Sequence, residues 1–96
     1  MVTEHAVITV ATGDEAAFEA AFADASRHIA GAPGCLGLRL LRGIEAPGRY
    51  LLLVEWASLE AHTEGFRSSP AFGAWRAGVS PFFAEPPAVE HFADAR

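Results

Sequence analysis

The chain contains one cysteine, few basic residues and no long apolar run, and each shortage excludes a class of protein. Cys35 has no second thiol to pair with, so an internal disulfide and a metal site built from several thiolates are both excluded. Seven basic residues stand against twelve acidic ones, the net charge is -5, and the arginines are scattered. The sequence therefore offers no positive surface for a phosphate backbone, which argues against nucleic acid as a partner.

Signals for membranes, secretion and common cofactors are also missing. Every apolar run is far shorter than the roughly 20 residues of a membrane-spanning helix, and residues 1–5 contain no basic segment like that of a signal peptide. We therefore expect a cytoplasmic protein without a membrane contact. There is no glycine-rich phosphate loop or dinucleotide fingerprint. His5, His28 and His91 lack metal-ligand spacing and are expected to be structural or surface residues, so neither a cofactor nor a metal is predicted.

Apolar residues are abundant and make up 51% of the chain, against 20% charged residues. The tract of residues 50–56 is long enough for a strand and is apolar on both faces. One face carries four large side chains, which are Tyr50, Leu52, Val54 and Trp56. The other face carries Leu51 and Leu53. Because helices of such a small domain can cover only one face of a sheet, we predict a homodimer in which a second copy covers Leu51 and Leu53.

The first half of the chain predicts a strand, a helix and a second strand. The first strand is expected over residues 5–11, and a capping box of Thr12 and Glu15 is expected to begin the helix. The buried stripe of this helix should consist of four residues at helical spacing, Phe18, Phe22, Ala25 and Ile29. After a stop at Gly31 and Pro33, one face of the second strand should carry Leu36, Leu38 and Leu40. This strand and the 50–56 tract are predicted to form a hairpin.

The second half of the chain predicts a broken helical region and a final strand. Ser58 is expected to cap one short helix, and Ser69 with Pro70 to begin another. The last strand is expected over residues 88–92. The order strand, helix, strand, strand, helix, strand is typical of a ferredoxin-like α+β domain with a four-stranded antiparallel sheet. We interpret residues 1–96 as one such domain.

Three residues are candidates for chemistry because of where the pattern places them. His62 and Arg76 each fall on the apolar stripe of a helix, where an imidazole could act as a base and a guanidinium could hold an anion. Trp56 ends the buried face of its strand, where an indole could stack on an aromatic ring. For each residue the alternative is a structural role: a histidine at the margin of the stripe, an arginine reaching to solvent, and a tryptophan in the core.

Four segments resemble the antibiotic biosynthesis monooxygenase family, whose members are dimeric α/β barrels. They are PGCLG at 33–37, EWASLEAH at 55–62, SPAF at 69–72 and VEHF at 89–92. The resemblance covers most of the chain and is more specific for the fold than for the reaction, since relatives include quinone-forming oxygenases, haem degraders and an isomerase.

The resemblance also implies roles for individual residues. In the quinone-forming members an indole, a phenol and an arginine line a pocket between sheet and helices, and by spacing they correspond to Trp56, His62 and Arg76. Imidazole replaces the phenol here, and Leu52 stands where those members have asparagine. In the haem-degrading branch, the resemblance would demand a histidine at Arg76 and an asparagine near Ala6. Because neither is present, haem degradation is disfavoured.

The sequence thus leads to a hypothesis of cofactor-independent oxidation of a small aromatic substrate by dioxygen. His62 would take a proton, Arg76 would stabilise the developing oxyanion, and Trp56 would stack on the ring. Leu52, Phe66 and Phe72 are expected to complete the substrate pocket. The alternatives are a small-molecule isomerase that needs the same base, and a ligand-binding or assembly module without catalysis.

Overall fold

Four antiparallel strands form one sheet in the computed structural model of residues 1–96, and they are β1 (Val2–Thr9), β2 (Cys35–Arg42), β3 (Arg49–Trp56) and β4 (Ala88–Phe92). Their order across the sheet is β2-β3-β1-β4, so β2 and β4 are the edge strands. This is the ferredoxin-like α+β fold that the order of elements predicts. The hairpin of β2 and β3 and the final strand β4 are confirmed.

The first strand lies closer to the N-terminus than the predicted 5–11. Val2 already pairs with Trp56, and the ladder ends where Thr9 pairs with Arg49. The reason is that the long strand β3 supplies partners for the first residues of the chain. Beyond the ladder, Val10 makes only an isolated bridge to Phe83.

The helices are α1 (Glu15–Ala25), α2 (Arg27–Ala30), a π-helix (Ala61–Phe66) and α3 (Pro70–Val79), and a 3-10 turn follows (Ser80–Phe82). The predicted stripe of α1 and α2 is buried at all four positions, Phe18, Phe22, Ala25 and Ile29. The predicted capping box of Thr12 and Glu15 is not formed. The carboxylate of Glu15 accepts the N–H of Gly13 at 2.7 Å, but the residue that caps α1 is Asp14 and no side chain caps the helix. The predicted role of Thr12 is therefore wrong.

Serine residues begin the second helical region as predicted. The hydroxyl oxygen of Ser58 accepts the N–H of Ala61 at 3.1 Å, and Ser69 is the extended residue before Pro70 at the start of α3. The wide turn of the π-helix buries His62 and Phe66 on the side that faces the sheet. A π-helical turn inside a helix is uncommon and is frequent at functional sites.

All the helices cover one face of the sheet, and the core lies between them. This face carries Ala6 and Ile8 from β1 and the four large side chains of β3, all of them buried. On β2, a bulge between Cys35 and Gly37 interrupts the alternation. Leu36 is therefore 60% exposed and does not share the buried face as predicted. No helix of the structure has the length and apolar character needed to cross a membrane.

Candidate functional site

A cavity of about 450 Å³ lies between the sheet and the helices. Five of the six residues predicted from the sequence line it, and these are Leu52, His62, Phe66, Phe72 and Arg76. Leu52 comes from the buried face of β3, His62 and Phe66 from the π-helix, and the other two from α3. The fold thus brings together side chains that are far apart in the sequence. The volume suits a small aromatic molecule.

Trp56, the sixth predicted residue, does not line the cavity. Its side chain is fully buried and lies behind His62, with the two ring centroids 5.1 Å apart and the ring planes 13° apart. The expectation that the indole meets a substrate ring is therefore corrected: the indole stacks on the imidazole instead. The physical reason is that Trp56 is the last residue of β3, where the π-helix packs directly over the strand.

The side chain of Glu4 also lines the cavity, and it is not among the site residues predicted from the sequence. One carboxylate oxygen, Oε1, accepts the indole N–H of Trp56 at 2.9 Å. The same oxygen is 3.4 Å from Nε2 of His62. Glu4 is only 7% exposed. A carboxyl group that is withdrawn from water in this way requires such partners, because an isolated buried charge is strongly unfavourable.

His91 completes this polar cluster. Nε2 of His91 is 2.7 Å from Nδ1 of His62. His91 is also the cross-strand partner of Glu4 in the ladder of β1 and β4. The contact with His62 agrees with the structural role expected for His91, because its ring holds a buried residue of the cavity wall. We call Glu4, Trp56, His62 and His91 the polar cluster. No group of three or more His, Cys, Asp or Glu side chains in the structure is arranged to hold a metal ion.

Burial changes the titration of the polar cluster. Desolvation raises the pKa of Glu4, although the Trp56 hydrogen bond and the charge of Arg67 act in the opposite direction. Desolvation, with Arg67 and His91 as further causes, lowers the pKa of His62 to about 4. Burial and Arg67 also lower the pKa of His91. The imidazole of His62 is thus neutral near pH 7 and a weaker base than a free imidazole, which counts against its predicted role as the proton acceptor.

Two arginines supply positive charge around the cavity. Arg76 is an exposed residue of α3 whose guanidinium carbon lies 6.0 Å from the centre of the Phe72 ring. Arg67 follows the π-helix and also lines the cavity. The sequence pattern allows two roles for Arg76, an anion-binding group or an arginine that reaches solvent. The structure agrees with both, because Arg76 is exposed at the margin of its helix and also borders the cavity. A negatively charged intermediate inside would lie close to both side chains.

The alternation of residues in β1 indicates that Glu4 lies on the buried face of the sheet. Ala6 and Ile8 predict the buried face of β1, and strict alternation puts Glu4 on that same face two residues earlier. The predicted strand begins at residue 5 and therefore leaves Glu4 outside it. For His91 the signal is weaker, since its contact depends on the register between β1 and β4 and on the position of the π-helix. Arg67 likewise comes near the cavity through the turn that follows the π-helix.

Comparison with known proteins agrees with this geometry. The sequence profile named antibiotic biosynthesis monooxygenase matches residues 1–78. The chain belongs to this family. It is 44% identical over 94 residues to the uncharacterized protein YczJ of Bacillus subtilis, and the match covers 98% of this chain and 99% of that one.

Two solved structures have the same fold as this chain. A candidate antibiotic biosynthesis monooxygenase from Bordetella bronchiseptica is 44% identical, with a TM-score of 0.94, over 99% of this chain and 97% of its own. The cofactor-independent oxygenase SnoaB of Streptomyces nogalater is 23% identical, with a TM-score of 0.84, over 99% of this chain and 93% of its own. At that identity the likeness to SnoaB shows a shared fold.

Proposed function

We propose that this family member is a cofactor-independent monooxygenase that oxidises a small phenol, anthrone or hydroquinone with dioxygen. The observation that carries the proposal is the composition of the cavity: an apolar pocket of about 450 Å³ with a carboxyl group and a neutral imidazole in its wall and two arginines around it. Such a pocket binds an aromatic ring, accepts a proton and stabilises an anion. The cofactor-independent oxygenase chemistry of SnoaB, a protein of the same fold, supports the proposal further.

The proposed reaction needs no external reductant, because the substrate supplies all the electrons. The polar cluster takes a proton from the aromatic compound, and the resulting anion transfers an electron to dioxygen. Recombination forms a carbon–oxygen bond and leaves a peroxide. A second hydrogen then leaves the same carbon as a proton while the oxygen–oxygen bond breaks. One oxygen atom stays in the quinone, and the other leaves as water with the two hydrogens removed from the substrate.

The cavity residues have distinct roles in this proposal. Leu52, Phe66 and Phe72 hold the ring by apolar contact, and Arg76 stabilises the oxyanion. The proton acceptor lies in the polar cluster that contains His62, the residue predicted as the base. Trp56 acts indirectly, by holding both Glu4 and His62 in place.

A homodimer is part of the proposal. The sheet face opposite the helices is uncovered in a single copy, and it carries Leu51, Leu53, Val7 and Leu41, all of them half-buried. A second copy packed on this face would remove that apolar surface from water. A cytoplasmic location, expected from the sequence, also remains part of the proposal.

Two other functions use the same cavity. An isomerase would need the proton acceptor but no oxygen, and a binding module would need only the apolar walls and the arginines. The buried carboxyl group favours proton transfer over mere binding, because keeping it at the cavity wall costs free energy that a passive pocket would not require.

Oxygen uptake separates these functions. Purified protein, shown by absorbance and metal analysis to be free of flavin, haem and metal, is mixed with a panel of anthrones, phenols and hydroquinones in an oxygen electrode. We expect uptake with at least one compound and one molecule of quinone formed per molecule of dioxygen consumed. Conversion that proceeds equally without oxygen would establish an isomerase, and tight binding without conversion would establish a binding module. Either result contradicts the proposal.

A further inference from the structure

We infer that Glu4 takes the proton from the substrate and that His62, 3.4 Å from its carboxyl group, and His91, hydrogen-bonded to His62, form a relay from Glu4 to the edge of the sheet. This inference rests on the proposed function for the identity of the proton donor. The contacts that form the relay are present in the folded chain without a substrate, so they do not depend on the proposed reaction. Glu4 is the catalytic residue in this scheme, and the two histidines act through it.

The two oxygens of Glu4 have different surroundings. Oε1 accepts from Trp56 and faces His62. No hydrogen bond within the protein involves Oε2, yet no buried side-chain oxygen or nitrogen of the structure lacks a partner. Oε2 therefore reaches the surface of the cavity that Glu4 lines. A substrate hydroxyl or activated C–H group in the cavity would meet this oxygen.

His62 has no nitrogen left for the substrate. Its Nδ1 is engaged by His91 at 2.7 Å, and its Nε2 turns to Oε1 of Glu4 at 3.4 Å. The ring is also held flat against the indole of Trp56. An imidazole with both nitrogens directed at neighbours is suited to passing a proton along, because protonation at one nitrogen releases the hydrogen at the other.

The hydrogen positions along the relay follow from the charge of Glu4. When Glu4 is ionised, Nε2–H of His62 points at its carboxylate, and Nδ1 accepts the Nε2–H of His91. When Oε1 of Glu4 carries the proton, it donates to Nε2 of His62, and each imidazole carries its hydrogen on Nδ1. Moving between the two states transfers one proton between Glu4 and solvent at His91, and both imidazoles are neutral at each end. A proton taken from the substrate at Oε2 enters this relay when the carboxyl group turns and brings the protonated oxygen to Nε2 of His62. Glu4 can thus exchange its proton with solvent while a substrate fills the cavity.

The surrounding charges favour the ionised form of Glu4 as the starting state. The groups that face Glu4 or share its cavity are Cys35 of β2, Trp56 of β3, His62, Arg67, Arg76 of α3 and His91 of β4. Burial raises the pKa of Glu4 and lowers the pKa of both histidines, and the charge of Arg67 opposes the shift of Glu4 and adds to the shifts of the histidines. This charge therefore favours a carboxylate next to two neutral rings, which is the arrangement that accepts a proton.

Activity of matched variants tests the catalytic half of the inference. Glu4→Gln keeps the shape of the side chain and removes the base, and we expect a loss of about 100-fold to 10,000-fold in turnover. Glu64→Gln, an exposed position on the π-helix, is the control and should keep wild-type activity. His62→Gln should lose less than Glu4→Gln and should alter the pH profile. If Glu4→Gln retained full activity while His62→Gln lost it, His62 would be the base and the inference would be wrong.

Nitrogen NMR of the imidazoles tests the relay without any substrate. Across the titration of Glu4, we expect His62 and His91 to change together from the Nδ1–H to the Nε2–H form as the pH rises. In Glu4→Gln this joint change should be absent, and His28, outside the cluster, should respond alike in both proteins. Histidines that keep one tautomer across the titration would overturn the relay, even in an active oxygenase. A joint change in a protein that oxidises nothing would leave the relay standing and refute the proposed function.

Discussion

At the scale of single residues, His62 shows how burial changes chemistry. An imidazole on the apolar stripe of a helix suggests a base that titrates near neutral pH. The structure instead buries the ring between Trp56 and His91, and its pKa falls to about 4. The ring is therefore neutral at working pH, and the group whose pKa moves toward neutrality is the carboxyl of Glu4. Sequence pattern identifies the position of a titratable group, whereas its neighbours determine its pKa.

The depressed pKa of His62 predicts a pH-dependent stability. Between pH 6.5 and about 4 the unfolded chain binds a proton at His62 that the folded chain does not, so this residue makes the folded state less stable as the pH falls. At about 1.4 kcal/mol per unit the effect reaches roughly 3 kcal/mol at pH 4. Glu4 acts in the opposite direction, because its pKa is raised.

Urea unfolding of His62→Gln distinguishes the contribution of His62 to pH-dependent stability from that of Glu4. Relative to wild type, the variant should gain up to roughly 3 kcal/mol of stability as the pH is lowered from 7 to 4. A constant difference between His62→Gln and wild type across this range would show that the ring is protonated in the folded state as readily as in the unfolded state.

Arg76 gives a second prediction at this scale. Arg76→Gln removes a positive charge at the cavity and should lower turnover by about tenfold, less than the loss of a fully buried oxyanion donor, because the guanidinium is exposed and screened by solvent. Arg27→Gln, at an exposed position of α2, is the control. Unchanged turnover and unchanged substrate affinity in Arg76→Gln would remove this residue from the site.

At the scale of elements, the π-helix positions the site by packing closely on the start of β2. Gly34 has a φ of +88°, and a Cβ added there would lie 2.6 Å from the Cβ of Ala61. Both the backbone conformation and the space therefore require glycine. The close approach fixes the first turn of the π-helix and with it the height of His62 above the sheet.

Glycine-to-alanine variants test this packing. Gly34→Ala should lower the free energy of unfolding by about 1 to 3 kcal/mol through strain and steric overlap. Gly73→Ala is the matched control, because it lies in α3 with no atom within 4 Å of the added Cβ, and it should stabilise the protein by up to about 1 kcal/mol. Chemical denaturation measures both values. Equal effects in the two variants would mean that the π-helix does not depend on this contact.

Most elements could be predicted from the sequence, and the failures have identifiable causes. The helix stripes and the alternation of β3 are repeated over several residues, so their signal is strong and was confirmed. The bulge at Cys35 and the start of β1 depend on pairing with β3, which no local pattern records. The site shows the same contrast. The positions of Leu52, Phe66 and Phe72 on buried faces can be predicted from periodicity, whereas the contact of Glu4 with His62 is set by tertiary packing.

At the scale of the whole molecule, the uncovered sheet face predicts assembly. Leu51→Glu places a charge in the middle of that face and should convert a dimer to a monomer, because burying an unpaired carboxylate is strongly unfavourable. Leu59→Glu, at a position 41% exposed on the helix side, should remain dimeric. Sedimentation at micromolar concentration distinguishes the two states. A wild-type chain that sediments as a monomer would contradict the prediction.

The most direct test of the central claim, oxygenation without a cofactor, is the origin of the oxygen atom in the product. Metal-free and flavin-free protein is incubated with an oxidisable anthrone or phenol under ¹⁸O₂, and the quinone is analysed by mass spectrometry. We predict one labelled atom in the quinone and the other in water, and a loss of labelled product in Glu4→Gln but not in Glu64→Gln. A quinone whose new oxygen comes from water, or a substrate panel that consumes no dioxygen, would contradict the claim.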